Sequence, residues 1–131
     1  MKFNLTAKKI KKEALVKYFL EFKVFKNKNF LNKIEKNDPF TGKSVSQKTI
    51  KPWGPELYDL YRLHQIVLKY KRTTILEFGV GWSTKVFANA LLINKKKYLN
   101  KINKLRFNNA FEVHSVDNFK KYISETKKKL S

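Results

Sequence analysis

The chain has 131 residues, enough for one domain or a small domain with an extension, and its 42% hydrophobic content can supply a core. It contains no cysteine, which excludes disulfides and thiolate metal centres, and its two histidines, His64 and His114, stand in no metal-ligand spacing, so no metal is expected. The formal net charge of +20 is carried almost wholly by lysine, with arginine only at Arg62, Arg72 and Arg106. Surfaces that read phosphates or base edges often use the bidentate guanidinium fork, which is scarce here. The abundance of Lys, Asn, Ile, Phe and Tyr is also what A/T-rich codons produce. Lysine clusters such as Lys8-Lys9, Lys95–Lys97 and Lys127–Lys129 are therefore read as solvated helix faces. No apolar run is long enough to span a bilayer. Met1-Lys2 opens a Lys-rich stretch without the apolar region of a signal peptide, which predicts a cytoplasmic location.

In chain order, apolar residues at Ile10, Ala14, Leu15, Tyr18, Phe19, Phe22 and Phe25 recur at helical spacing. They predict an amphipathic helix from Ala7 to about Phe25 with Thr6 as its cap. Phe30, Leu31 and Ile34 extend the pattern after an Asn-rich break. The aromatic stripe favours core or partner packing over a membrane surface. Asn37-Asp38-Pro39 and Thr41-Gly42 punctuate a polar connection that reaches Pro52. Residues 1–52 thus read as a helical extension and linker, and residues 53–131 as the domain that carries the chemistry.

Trp53-Gly54-Pro55-Glu56 opens the next helix, since proline costs nothing in a first turn and an acid suits the helix N-terminus. Leu57, Leu60, Tyr61, His64, Val67 and Leu68 form one face up to about Tyr70. His64 on that face is expected as a hydrogen-bonded packing residue. Thr73–Phe78 is a β-branched and apolar strand that ends in Glu77 and meets Gly79-Val80-Gly81-Trp82-Ser83-Thr84. The glycines allow a sharp turn and a close ligand approach. Ser83 and Thr84 can cap the following helix, whose first N–H groups favour an anion. Val86, Phe87, Ala90, Leu91 and Ile93 give that helix its sheet-facing side, and a Lys/Asn-rich connection, in part helical, runs from Asn94 to Asn109. Phe111–Val116 is the second strand, and Asp117 precedes a last helix over 118–129.

Glu77 and Asp117 both sit at the carboxyl ends of predicted strands, where open α/β sheets bind ligands. A carboxylate there can accept both hydroxyls of a ribose. A dinucleotide fingerprint would need glycine at position 84, where this chain has Thr84. Asp117 is equally a candidate N-cap for the last helix.

The stretch Ile75–Thr84 resembles motif I of the class I S-adenosylmethionine-dependent methyltransferases: an apolar strand, an acid, then Gly-x-Gly. Phe111–Asp117 resembles that family's second strand, which ends in an acidic residue. The resemblance implies a partial Rossmann-like α/β fold over residues 73 to 130. It implies that S-adenosyl-L-methionine binds at Glu77, Gly79, Val80, Gly81, Trp82, Ser83, Thr84 and Asp117. Gly79 and Gly81 would flank the methionine part, Glu77 would organise its amino group, and Asp117 would hold the ribose. The chain departs from the pattern in having Ser83 where a third glycine is frequent, and in the long Lys/Asn-rich connection.

Only two strands are evident, and the family's later strands bring the residues that face the methyl acceptor. The chain therefore reads as the front half of such a domain, with self-association or a partner chain expected to complete the sheet. No catalytic residue is assigned. A small-molecule acceptor is favoured over nucleic acid, and the alternative reading is a non-enzymatic basic module for RNA or an acidic partner.

Overall fold

The computed structural model describes residues 10–33, 55–105 and 108–131. Among them the order is α1 (Lys12–Glu21), α2 (Lys28–Lys33), α3 (Leu57–Lys69), β1 (Thr74–Phe78), α4 (Trp82–Ile102), β2 (Glu112–Val116) and α5 (Lys120–Leu130). The chain divides into two compact units, Met1–Tyr58 and Asp59–Ser131. None of the described helices is long and apolar enough to cross a membrane.

In the first unit, α1 buries Leu15, Val16 and Phe19, the narrow stripe of an amphipathic helix. It ends at Glu21, and the chain then enters the left-handed region at Lys23 (φ 55). The Lys23 N–H returns to the Leu20 carbonyl at 3.1 Å and the Val24 N–H to the Phe19 carbonyl at 3.0 Å. This is a Schellman ending, which accommodates two otherwise unpaired carbonyls. Phe22 and Phe25 therefore lie past the helix, with the Phe25 ring edge-on to Phe19 at 5.3 Å. Lys12 Nζ ties α1 to α2 by donating to the Asn32 carbonyl at 2.8 Å. The expected helix start at Ala7 with its Thr6 cap, the apolar Ile34 and the linker up to Pro52 lie outside the described residues.

In the second unit, α3 closes in the same way as α1. Lys71 is left-handed (φ 51), with its N–H on the Leu68 carbonyl at 3.2 Å and the Arg72 N–H on Val67 at 3.0 Å. The chain enters β1 at once. β1 and β2 pair in parallel with Ile75 opposite Val113 and Glu77 opposite Ser115. A further bond, Gly79 N–H to the Val116 carbonyl at 2.7 Å, carries the pairing one step beyond β1. Strand alternation sends Ile75 and Val113 to one face, where they pack with Val67, Leu68, Phe87, Ala90 and Leu91 of α3 and α4. The other face presents Leu76, Phe78 and Val116 to solvent, with Phe78 83% exposed. The result is a mixed helix-and-strand unit with a two-stranded parallel sheet, a partial α/β arrangement.

Three boundaries of this unit differ from expectation, the starts of both strands and of the last helix, each for a local reason. Both strands begin one position later, because Phe111 takes φ 66 and cannot join a pleat. Its N–H instead donates to the Thr73 carbonyl, while the Thr74 hydroxyl donates to the Asn109 carbonyl at 2.6 Å. The helical part of the Lys/Asn-rich connection proves continuous with the helix after the loop, which runs unbroken to Ile102. No glycine or proline interrupts it, and its lysines are good helix formers that remain solvated. The last helix begins at Lys120, after a turn made by Asp117.

Candidate functional site

Glu77 is the pivot of the loop between β1 and α4. Its side chain alternates to the helix-covered face of β1, beside Ser115 of the paired strand. One carboxylate oxygen, Oε1, accepts from the Ser83 hydroxyl. The other, Oε2, accepts from the Thr84 hydroxyl at 2.6 Å and from the Ser115 hydroxyl at 2.8 Å. Three hydroxyls, two from the first turn of α4 and one from β2, thus converge on a single carboxylate. A negative charge at this position also complements the positive end of the α4 dipole.

The cap of α4 differs from the expected one. The cap residue is Gly81, while Ser83 and Thr84 lie inside the first turn. Thr84 Oγ1 accepts the Gly81 N–H at 3.1 Å and donates its own hydrogen bond to Glu77. The pair Ser83-Thr84 therefore fastens the helix start to the strand end. Ser115 is the member of this hydrogen-bonded cluster that the sequence did not single out. Its signal was the alternation of β2, which puts residue 115 in phase with the half-buried Val113, but only the register shows that it meets Glu77.

Asp117 closes the loop from the other strand. Its Oδ2 accepts the Val80 N–H at 3.0 Å and its Oδ1 accepts the Phe119 N–H at 2.7 Å. The second bond is the turn that an aspartate makes two residues on, ahead of α5, whose cap position is Phe119 rather than Asp117. Asp117, 37 residues along the chain from Val80, thus lies against the loop, and each of its oxygens keeps a second lone pair.

The two glycines differ physically. Gly79 has φ 94, a conformation that side-chain-bearing residues rarely adopt, whereas Gly81 is extended. A Cβ built at either position meets no atom within 4 Å, so the space over the loop is open. Trp82, the first helical residue, carries the Lys129 ammonium 4.3 Å from its ring centroid, and Lys85 Nζ donates to the Lys129 carbonyl at 2.8 Å. These contacts fix the end of α5 against the start of α4. Glu77, Gly79, Val80, Gly81, Ser83, Thr84 and Asp117 are accordingly joined in one hydrogen-bonded loop, with Trp82 next to it in the first turn of α4.

His64 is away from the site chemistry and entirely buried. Its Nε2–H donates to Asn89 Oδ1 at 2.9 Å, joining α3 to α4. Burial holds its pKa below the usual imidazole value, and the bond to Asn89 offsets this only in part. His114 is half-exposed and lies 3.2 Å from Glu112. Among the described residues no group of three His, Cys, Asp or Glu side chains could hold a metal ion. No protein-family model, curated protein or solved structure matches this chain.

Proposed function

We propose that the second unit is the cofactor-binding half of a class I methyltransferase-like domain, Rossmann-like in plan, that takes S-adenosyl-L-methionine at the Gly79–Thr84 loop. The observation that carries this reading is the meeting of an open glycine loop with Asp117 at the carboxyl ends of two parallel strands. Such strand ends are where open α/β sheets receive nucleotide-like ligands. The polar side chains gathered there are two carboxylates and three hydroxyls. That chemistry suits an ammonium and a ribose diol better than a pyrophosphate, which Glu77 at the α4 N-terminus would repel. Asp117 would accept the ribose hydroxyls through its remaining lone pairs, while Gly79 and Gly81 would leave room for the methionine part.

Glu77 has a role in the loop itself beside the one the resemblance implies. It accepts from Ser83, Thr84 and Ser115 and so sets the shape of the loop, while Oε1, with a single donor, keeps a lone pair that would face the amino group of the ligand. Bound S-adenosylmethionine supplies a sulfonium methyl group, and transfer to a nucleophile depends chiefly on alignment. The methyl acceptor is read as a small molecule, to be met by elements that complete the sheet on its bare face.

Calorimetric titration of the full chain with S-adenosylhomocysteine tests the reading. Binding that is abolished by Gly81→Val and weakened by Asp117→Ala, by on the order of 1–3 kcal/mol for lost bonds to a charged acceptor, is the expected result. Lys128→Ala serves as the neutral control. No heat at millimolar ligand overturns binding by this chain, and unchanged affinity in Asp117→Ala overturns the ribose assignment.

A further inference from the structure

The end of the second unit opposite the glycine loop carries a separate chemistry. Lys69 ends α3 just before β1 begins, and Ile102 ends α4 on the way into β2, so both helices finish at the starts of the strands. Two contacts join these helix ends. Asn94 Nδ2 donates to the Arg72 carbonyl at 2.8 Å, and Lys71 Nζ lies 5.6 Å from the centroid of the Tyr98 ring. The junction brings Lys71 and Arg72 together with the lysines of the second half of α4, Lys95–Lys97 and Lys101.

The acid that the register places at this end is Glu112, opposite Thr74 at the start of β2 and 3.2 Å from His114, one carboxylate against the six basic residues Lys71, Arg72, Lys95, Lys96, Lys97 and Lys101. Glu77 is the single acidic residue between Asp59 and Glu112, and its carboxylate is bonded to Ser83, Thr84 and Ser115 in the loop. Past Asn94 the helix has no buried residue. Leucines are nonetheless exposed among the lysines: Leu92 at 59%, Leu99 at 37%, and Leu105 just beyond the helix at 62%. Leu92 and Leu99 are two helical turns apart and therefore share one stripe, flanked by Lys95 and Lys96. Solvated lysines alone would account for solubility, but they give no reason for leucines on the same face.

We propose that this surface docks on an anionic lipid bilayer, with the lysines at the headgroups and Leu92, Leu99 and Leu105 entering the interface. A phosphate backbone would neutralise the lysines but leave the leucines in water, whereas an anionic bilayer surface offers both a charge and an apolar layer. The contacts lie on the far side of the strands from Gly79–Thr84, so the inference does not rest on the cofactor reading.

The test is co-sedimentation of the full chain with vesicles of phosphatidylcholine alone and of phosphatidylcholine mixed with phosphatidylserine. Binding to the mixed vesicles alone is expected, falling with salt without vanishing, because the leucine contribution is not screened. Lys95→Gln/Lys96→Gln/Lys97→Gln should reduce partitioning by roughly fivefold per lysine. The same number of changes at Lys120, Lys121 and Lys127 should have a much smaller effect. Leu92→Ser/Leu99→Ser, which removes no charge and no buried side chain, should also release the protein, with an unchanged circular dichroism spectrum and melting temperature. No binding to the mixed vesicles, equal losses in the two lysine sets, or an unaffected leucine variant would each overturn the proposal. Displacement from vesicles by a single-stranded RNA, with the leucine variant binding that RNA as well as wild type, would assign the surface to nucleic acid instead.

Discussion

At the scale of single residues, the loop is governed by one carboxylate and one backbone angle. Glu77 satisfies Ser83, Thr84 and Ser115 together, so its loss leaves three hydroxyls to find other partners and removes a charge that favours the start of α4. Bonds to charged groups contribute more than neutral ones. Glu77→Ala should therefore lower stability by about 2–3 kcal/mol, read as a shift of the urea midpoint with unchanged slope, and Glu77→Gln should lower it less. The glycines separate a folding requirement from a ligand requirement. Gly79→Ala forces φ 94 on an alanine and should cost about 1 kcal/mol or more in stability. Gly81→Ala introduces a methyl into open space at an extended backbone, so its cost should be confined to exchanging glycine for alanine at a helix N-cap, about 1 kcal/mol or less. A large stability loss in Gly81→Ala would mean that the space beside Gly81 is filled and not open. With the fold intact, any effect of that substitution on S-adenosylhomocysteine affinity reports the ligand alone.

At the scale of elements, α3 and α4 are held by two buried polar contacts, and these show where sequence reading succeeds and fails. The strand pair, the glycine loop and the amphipathic face of α3 were legible, because period-two and period-three-to-four patterns follow directly from backbone geometry. The extent of α4 was not. Asn94 looks like the start of a polar connection, yet it is buried and donates to the carbonyls of Val67 at 3.0 Å and Arg72 at 2.8 Å, satisfying the end of α3. A polar residue that serves another helix gives no periodic signal of its own. Ser115 escaped notice for the same reason, since its partner depends on strand register. His64 was legible as a packing residue, and its burial has a measurable consequence. A neutral buried histidine has a folded-state pKa below the unfolded value of about 6.5. The unfolded chain then binds a proton that the folded chain does not, so this contribution to stability is complete above that pH and is lost as pH falls below it. Urea unfolding between pH 7.5 and pH 5 should show this loss, and His64→Gln, which keeps a donor for Asn89, should remove that part of the pH dependence. An unchanged profile in the variant would assign the pH dependence to other groups.

At the scale of the whole molecule, the feature that decides solution behaviour is the open sheet. A two-stranded parallel pair is seldom stable with one bare face, and parallel sheets are ordinarily covered on both. Here α3 and α4 cover one face, while Leu76, Phe78 and Val116 stand exposed on the other, and the edge of β1 away from β2 has no strand beside it among the described residues. An exposed edge and an apolar face together favour pairing with another chain. The opposing term is charge, since a net +20 on 131 residues makes copies of the chain repel one another. The two terms respond differently to salt. Repulsion between distant surface charges is screened as the Debye length falls from about 10 Å at 0.1 M to about 3 Å at 1 M, while burial of leucine and phenylalanine is not. Self-association measured by sedimentation velocity should therefore increase with salt, the reverse of any lysine-driven binding to lipid or RNA. Phe78→Ser should suppress it, and because Phe78 is already 83% exposed, the folded unit should lose little stability. A chain that stays monomeric at high salt and melts cooperatively would mean that the bare face needs no partner, and the reading of this unit as part of a larger sheet would fall with it.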